Sequence, residues 1–126
     1  MKKYKVVLTD TTKKDLQEIA LYIASASGSR EIAKRFVNEL REKAARLETF
    51  PNTGTIPNDR ILKSLGYRFL MHKDYLLFYQ IEESQKKVFV MAIFNGPPPN
   101  RKRKSSKYST SVNTATVMTR RHFIHP

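Results

Sequence analysis

The 126-residue sequence contains no cysteine, so it can form neither a disulfide framework nor a zinc finger nor a thiol nucleophile. No apolar run approaches the roughly 18 residues that a membrane-spanning helix needs, and we expect a cytoplasmic protein with no membrane partner. Walker loops, dinucleotide fingerprints, nucleophile elbows and paired catalytic carboxylates are also missing, which excludes most enzyme classes. His122 and His125 lack acidic neighbours at metal-ligand spacing. We therefore expect no cofactor and no metal.

Acidic residues are scarce as well, with 11 against 24 basic residues and a formal charge of +13 at pH 7. Residues 97–126 contain seven basic and no acidic residues, and the 17 basic and 11 acidic residues of positions 1–96 account for the other +6. Such a charge favours polyanionic partners, which include nucleic acid, the ribosome, an acidic protein and anionic lipid. The alternative is a charge that only keeps a small domain soluble.

The N-terminal half predicts one strand and two helices. The apolar run Lys5–Leu8 indicates a short strand covered on both faces. A helix follows to about Ala26, and Thr12 and Asp15 have the spacing of a capping box at its start. Because only residues 27–29 separate it from a second helix, we expect an antiparallel helical hairpin. The apolar positions at helical spacing are Leu16, Ile19, Ala20 and Ile23, then Ala33, Phe36, Val37, Leu40, Ala44 and Leu47.

The C-terminal half predicts a sheet. Segment 50–59 is rich in proline, asparagine and aspartate and reads as a loop. Three aromatic and β-branched runs follow, at 67–72, 75–81 and 87–94, with polar links that predict a three-stranded antiparallel meander. With helices covering one side of this sheet, the expected fold class is α+β. Three prolines end the last strand, so we expect a folded domain over 1–96 and a disordered basic tail over 97–126.

The hairpin of the first two runs contains the candidate site. Arg68 and His72 share one face of their strand, which we expect to be the working face. An unpaired charge inside a sheet is costly, so Arg68 requires an explanation. Its guanidinium can clamp a phosphate, or it can pair with the carboxylate of Glu48 or Asp59 and close the loop over the sheet.

Two further residues near the turn can take part in chemistry. A histidine imidazole is suited to proton transfer, so His72 is either a general acid or base or a solvated turn residue. Tyr75 can stack on a base or donate its hydroxyl, or it is an ordinary half-buried aromatic of the sheet. A nucleolytic site needs a phosphate clamp and proton-transfer groups, so the candidate catalytic residues are Arg68, His72 and Tyr75. The candidate nucleic-acid or target-binding track, with Tyr67 and Tyr75 interleaved, is Arg60, Lys63, Arg68 and Lys73.

Taken in order, the segments of residues 4–96 resemble the RelE/ParE toxins of bacterial type II toxin-antitoxin systems. The segments are Tyr4–Leu8, Asp15–Ile23, Ala33–Phe36, Leu47–Pro51 with Gly54, Gly66–Arg68, Tyr75–Ile81 and Val88–Phe94. The resemblance implies a compact α+β fold and growth arrest when the antitoxin is lost. It also implies an antitoxin partner, expected to be acidic, that wraps and neutralises the toxin, with a possible higher-order toxin-antitoxin complex.

This superfamily includes ribosome-dependent mRNA endonucleases, which are RelE-like, and gyrase poisons, which are ParE-like. RelE-like nucleases have an arginine early in the second meander strand, where this chain has Leu76. They also have basic and His or Tyr residues after the last strand, where it has Asn95–Pro99. The resemblance therefore slightly favours inhibition of DNA gyrase, and ribosome-dependent mRNA cleavage is the alternative. A third interpretation is a degenerate toxin that only binds an antitoxin or nucleic acid.

Overall fold

The computed structural model describes residues 3–97, so the expected tail beyond Pro97, with His122 and His125, lies outside the described residues. The predicted α+β class and the order of its main elements are confirmed. Short 3₁₀ turns at Arg46–Glu48, Pro51–Thr53 and Glu83–Gln85 connect them. The strands and helices are β1 (Lys5–Leu8), α1 (Asp10–Ser27), α2 (Arg30–Ala45), α3 (Arg60–Ser64), β2 (Tyr67–His72), β3 (Tyr75–Glu82) and β4 (Lys87–Asn95).

The four strands form one sheet in the order β1-β4-β3-β2. The predicted meander is present, since β3 is antiparallel to both β2 and β4. β1 pairs with β4 in parallel, and α1 and α2 supply the crossover that a parallel pair requires. The expectation that β1 is covered on both faces was wrong, because β1 is an edge strand with an exposed Lys5 and only half-buried apolar residues.

Both faces of the sheet are buried. The helix face, which α1 and α2 cover, and the α3 face, which α3 covers, each carry an apolar cluster. Since β3 contributes alternate residues to the two clusters, it is buried on both sides. The helix-face cluster is Leu16, Ile19, Leu40, Ala44, Leu47, Tyr75, Leu77, Tyr79, Val88, Val90 and Ile93, and the α3-face cluster is Leu62, Tyr67, Phe69, Leu76, Phe78 and Ala92.

The start of α1 differs from the sequence prediction. Thr9 is the N-cap, and its hydroxyl accepts a hydrogen bond from the Thr12 N–H at 3.2 Å. The buried Asp15 lies inside the helix, and its Oδ2 accepts the N–H of Ile93 at 2.9 Å. The Thr12 hydroxyl donates to the carbonyl of Val90 at 2.6 Å. The predicted Thr12–Asp15 capping box is therefore wrong, and both side chains tie α1 to β4 instead.

Helix α3 is an element that the sequence analysis did not predict. Asp59 caps it, with Oδ1 accepting the N–H groups of Ile61 and Leu62 at 2.9 and 3.0 Å. Leu62 is fully buried against the sheet. The helices were expected on one side of the sheet only, but this short helix covers the other side.

A loop segment, residues 51–55, is fixed to the sheet by backbone contacts. The buried Tyr79 hydroxyl donates to the carbonyl of Pro51 at 2.7 Å and accepts the N–H of Gly54 at 2.9 Å. Thr55 pairs with Phe69 of β2 through two hydrogen bonds of 2.9 Å. Burial raises the pKa of Tyr79, so its hydroxyl stays protonated and able to donate. The loop thus satisfies a phenol that would otherwise be unpaired in the core.

We expect Gly54→Ala to destabilise the fold. A Cβ at this position would lie 2.5 Å from the Tyr79 hydroxyl oxygen and 2.9 Å from the backbone carbonyl oxygen of Phe69. The loop must then move away from the sheet, and the free energy of unfolding should fall by about 2–3 kcal/mol in urea denaturation followed by circular dichroism. The exposed neighbour provides the control, since Thr53→Ala should change it by less than about 0.5 kcal/mol. Equal midpoints for the two variants would contradict this account of the loop.

Candidate functional site

The two polar residues of β2 lie on the helix face. Leu70 lies between them on the same face of the strand, and it packs against the helix-face cluster. His72 contacts α2, and Arg68 contacts the loop segment. The face that the sequence analysis expected to be the working one is thus covered by α2 and by residues 51–54.

Arg68 binds backbone carbonyl groups. Its Nη1 donates to the carbonyl oxygen of Gly54 at 3.0 Å and to that of Asn52 at 3.2 Å. The carboxylates of Glu48 and Asp59 are the alternative partners that the sequence offers for closing the loop, but Asp59 caps α3. Hydrogen bonds from a charged donor are stronger than neutral ones, so the guanidinium adds to the contacts that hold the loop segment on the sheet.

His72 is held by α2. Its Nε2 lies 2.9 Å from Oε1 of Glu39, and its ring centroid is 5.2 Å from that of Phe36. The Lys73 Nζ is 3.9 Å from the same carboxylate oxygen and 5.6 Å from the centre of the Phe36 ring. The hydrogen bond from His72 lowers the pKa of Glu39, and the positive charges of Lys73 and Arg35 act in the same direction. These contacts hold the β2–β3 turn against α2.

Tyr75 belongs to the same cluster. It lies opposite His72 across the β2–β3 pair and packs edge-on against Phe36 with 5.3 Å between ring centroids. Only 8% of Tyr75 is exposed, and it is part of the helix-face core. Its surroundings match those of an aromatic core residue.

The proposed basic track is divided between the two faces of the sheet. Arg60 and Lys63 are exposed on α3, whereas Arg68 and Lys73 belong to the helix face and the β2–β3 turn. Tyr67, predicted to be interleaved with them, is buried on the α3 face, where burial raises its pKa to about 12. The structure does not bring the four basic residues together on one surface.

The candidate catalytic residues are also spread out. His72 lies four residues beyond Arg68 along the extended strand, a distance of about 13 Å. The structure pairs His72 with Tyr75 but places Arg68 at the other end of β2. Among residues 3–97, no cluster of His, Asp or Glu could hold a metal ion, and no helix is long and apolar enough to cross a membrane.

Sequence reasoning missed two contributors to this region. Glu39 stands next to the apolar stripe of α2, one turn beyond Phe36, and nothing in that pattern distinguishes it from a solvated acid. Tyr79 had a usable signal, since a phenol inside a strand buried on both faces needs a polar partner. The partners themselves are backbone atoms of the loop, which side-chain patterns do not reveal.

The hydrogen bond between Glu39 and His72 should make the free energy of unfolding depend on pH. Because the folded-state pKa of Glu39 lies below its ordinary value of 4.5, its ionised carboxylate stabilises the fold above that pH. This contribution is lost as the pH falls through the lowered pKa, and Glu39→Gln removes it. The fall in unfolding free energy between about pH 5 and pH 3 should therefore be smaller in Glu39→Gln than in the unmodified chain.

The matched control is Glu42→Gln, which removes an exposed carboxylate from the same helix. Urea denaturation at several pH values measures both variants. If the free energy of unfolding had the same pH dependence in the two variants, a specific stabilising contact at Glu39 would be contradicted.

Solved structures that share this fold include those of two toxin-antitoxin systems. The chromosomal ParDE toxin-antitoxin system from P. aeruginosa matches with a TM-score of 0.63 and 18% identity, over 75% of this chain and 97% of that chain. The toxin-antitoxin complex RelBE2 from Mycobacterium tuberculosis matches with a TM-score of 0.57 and 21% identity, over 74% of this chain and 98% of that one. At these identities the likeness shows the fold alone.

The family relationship comes from the sequence. No curated protein sequence matches the chain. The family model described as the ParE toxin of type II toxin-antitoxin system, parDE, matches residues 6–96, from β1 to the residue after β4. This confirms the RelE/ParE resemblance, and the chain belongs to the ParE toxin family of type II toxin-antitoxin systems.

Proposed function

We propose that this chain arrests growth by binding a protein target, with DNA gyrase preferred, and that a cognate antitoxin neutralises it. Membership of the ParE family supports the toxin role. The observation that favours binding over RNA cleavage is the position of Arg68, whose guanidinium bonds to the carbonyl groups of Asn52 and Gly54.

RNA cleavage needs a cation and proton-transfer groups that converge on one phosphate. In this chain Arg68 is bound to the loop, and His72 is bound to Glu39 at the other end of the strand. Loss of several cooperating groups lowers a cleavage rate by orders of magnitude. A toxin that works by occupying a surface of its target does not need these groups to converge.

Leu76 adds to this argument. It occupies the position at which RelE-like nucleases have an arginine, and it is 0% exposed in the α3-face cluster beside Leu62 and Phe78. An arginine at this point would be a buried charge without a carboxylate partner in the cluster, which is costly. The core of this chain therefore accommodates an apolar residue at position 76.

The antitoxin is proposed to be an acidic protein. Both structural relatives are described as toxin-antitoxin systems or complexes. Residues 1–96 carry 17 basic and 11 acidic residues, so an acidic partner is attracted by the toxin domain as a whole. A higher-order assembly of toxin and antitoxin is part of the same proposal.

A paired assay of the purified chain tests the target. We expect it to inhibit supercoiling of relaxed plasmid by DNA gyrase, and to produce no new mRNA ends in primer extension on translating ribosomes. New mRNA ends without an effect on gyrase would overturn the proposal in favour of ribosome-dependent cleavage. Undiminished growth of bacteria that accumulate the folded chain without an antitoxin would count against any toxin role.

Arg68→Ala provides the matched variant in both assays. Because Arg68 holds the loop and does not bind the target, the folded variant should inhibit gyrase within about threefold of the unmodified chain. Circular dichroism at the assay temperature confirms that the variant is folded. mRNA ends that appear with the unmodified chain and vanish with Arg68→Ala would identify Arg68 as a catalytic residue.

A further inference from the structure

The four-stranded sheet has edge strands at β1 and β2, and the loop segment closes part of the β2 edge. Thr55 takes both outward backbone groups of Phe69 through two hydrogen bonds of 2.9 Å, so a strand that approached β2 would meet the loop segment there. β1 pairs with β4 on one side, and within residues 3–97 no strand or bridge pairs with its other side. β1 is therefore the open edge of the described sheet.

The hydrogen bonds of β1 show which of its backbone groups point outward. The N–H groups of Lys5 and Thr9 both donate across the β1–β4 pair, at 2.9 and 3.2 Å. Since a strand bonds to a neighbour through alternate residues, the backbone groups of Val6 and Leu8 point away from β4. The N–H of Tyr4 follows the same alternation and donates to the 3₁₀ turn that follows α2, at 2.9 Å. Among the described residues, the N–H and C=O groups of Val6 and Leu8 thus have no partner.

A positive charge without a nearby carboxylate lies beside this edge. Lys5 is directly opposite Lys87 in the parallel register, and such like-charge pairs are unfavourable in a sheet. Because Val6 and Leu8 pack against the helix-face cluster, Lys5 faces the other side of the sheet. Within residues 3–97, neither Lys5 nor Lys87 forms an ion pair, and the preceding Lys3 is exposed. Acidic side chains on an added strand would compensate this charge.

We propose that β1 binds an extended peptide as an additional antiparallel strand, with an acidic side chain beside Lys5. Added strands obtain affinity from main-chain hydrogen bonds and specificity from alternate side chains. Val6 and Leu8 supply the main-chain donors and acceptors, and the lysines select acidic residues. The antiparallel direction is preferred because antiparallel pairing is slightly more stable per residue than parallel pairing.

A second copy of this chain is a poorer occupant of the edge than an acidic strand. Residues 1–96 have a formal charge of +6, so two domains repel each other, whereas an acidic strand is attracted. The proposed function calls for an acidic protein partner, and the inference names an edge at which part of that partner binds. It rests on the proposed function only for the origin of the peptide.

NMR titration of the ¹⁵N-labelled full chain with the synthetic peptide acetyl-Ser-Val-Thr-Val-Glu-Thr-Glu-amide tests the proposal. In antiparallel register its two valines lie opposite Leu8 and Val6, and its first glutamate lies opposite Lys5. The amide signals of Val6 and Leu8 should shift most, because these N–H groups gain acceptors, and should saturate with a Kd of about 1 mM or lower. Shifts confined to the helices would overturn the proposal.

Two N-methylated forms of the peptide provide a matched pair of ligands. Methylation of the two valine nitrogens removes the donors that face β1 and should abolish the shifts. Methylation of the first threonine and the first glutamate removes donors that face away from β1, and should change Kd by less than about threefold. Equal binding of the two forms would contradict strand addition.

Charge variants of the chain test the choice of an acidic peptide. Lys5→Gln combined with Lys87→Gln should raise Kd at least about threefold, since both lysines lie at the edge. The control combines Lys34→Gln with Arg41→Gln, which removes the same charge from exposed positions of α2 and should raise Kd by less than about 1.5-fold. Equal increases in the two double variants would overturn the role of the edge lysines.

The outcomes also separate this inference from the proposed function. A chain that inhibits gyrase while its β1 amides do not respond to the peptide contradicts the docking edge alone. A chain that binds the peptide at β1 without inhibiting gyrase or arresting growth supports the docking edge and contradicts the proposed function alone. Shifts of the Val6 and Leu8 amides with protein concentration, in the absence of peptide, would identify a second copy as the occupant and overturn the proposal.

Discussion

Strand β3 is buried on both faces, and this burial determines how the other elements are arranged around it. Leu76 and Phe78 face α3, Leu77 and Tyr79 face the helices, and none is more than 2% exposed. Such a strand needs a covering layer on each side. The helical hairpin supplies one layer, and α3 supplies the other. Hydrophobic burial of this kind is worth about 1.5–3 kcal/mol for each large side chain.

The hydroxyl of Tyr79 links this burial to the candidate site. A phenol in the core must be hydrogen-bonded, and the loop segment provides a carbonyl and an N–H within 3 Å. The close approach requires glycine at position 54 and aims two carbonyl groups at Arg68. The charge in β2 therefore has a structural explanation that starts from the core.

This arrangement also shapes the functional interpretation. Arg68 and His72 are both engaged with other parts of the domain, one with the loop and one with α2. This engagement supports the proposal that the chain acts by binding a target and not by cleaving RNA.

Much of the fold was predictable from the sequence because periodicity reports burial directly. The apolar stripe of α2 correctly predicts a helix, and the uninterrupted apolar run of β3 correctly predicts a strand. The edge position of β1 was not predictable, since an apolar run does not identify its neighbours. Helix α3 was missed because five residues contain no helical period, and Asp59 as a cap was its only signal. Asp15 bonds to a residue 78 positions away, which no local pattern anticipates.

The candidate site was predictable only as a list of residues. Arg68, His72 and Tyr75 are recognisable by type, but their partners are loop carbonyls, a carboxylate on α2 and the Phe36 ring. These partners are far away in sequence and follow from packing. The sequence did not show that α2 and the loop segment contact the face of β2 that carries Arg68 and His72.

Arg68 and Tyr79 act together to hold residues 51–54 on the sheet. A double-mutant cycle of Arg68→Ala and Tyr79→Phe, with unfolding free energies from urea denaturation, measures this most directly. Because both side chains bind the same segment, we expect each substitution to destabilise the fold and the pair to show a coupling energy of about 0.5–2 kcal/mol. Additive effects, with Arg68→Ala within about 0.5 kcal/mol of the unmodified chain, would contradict the account.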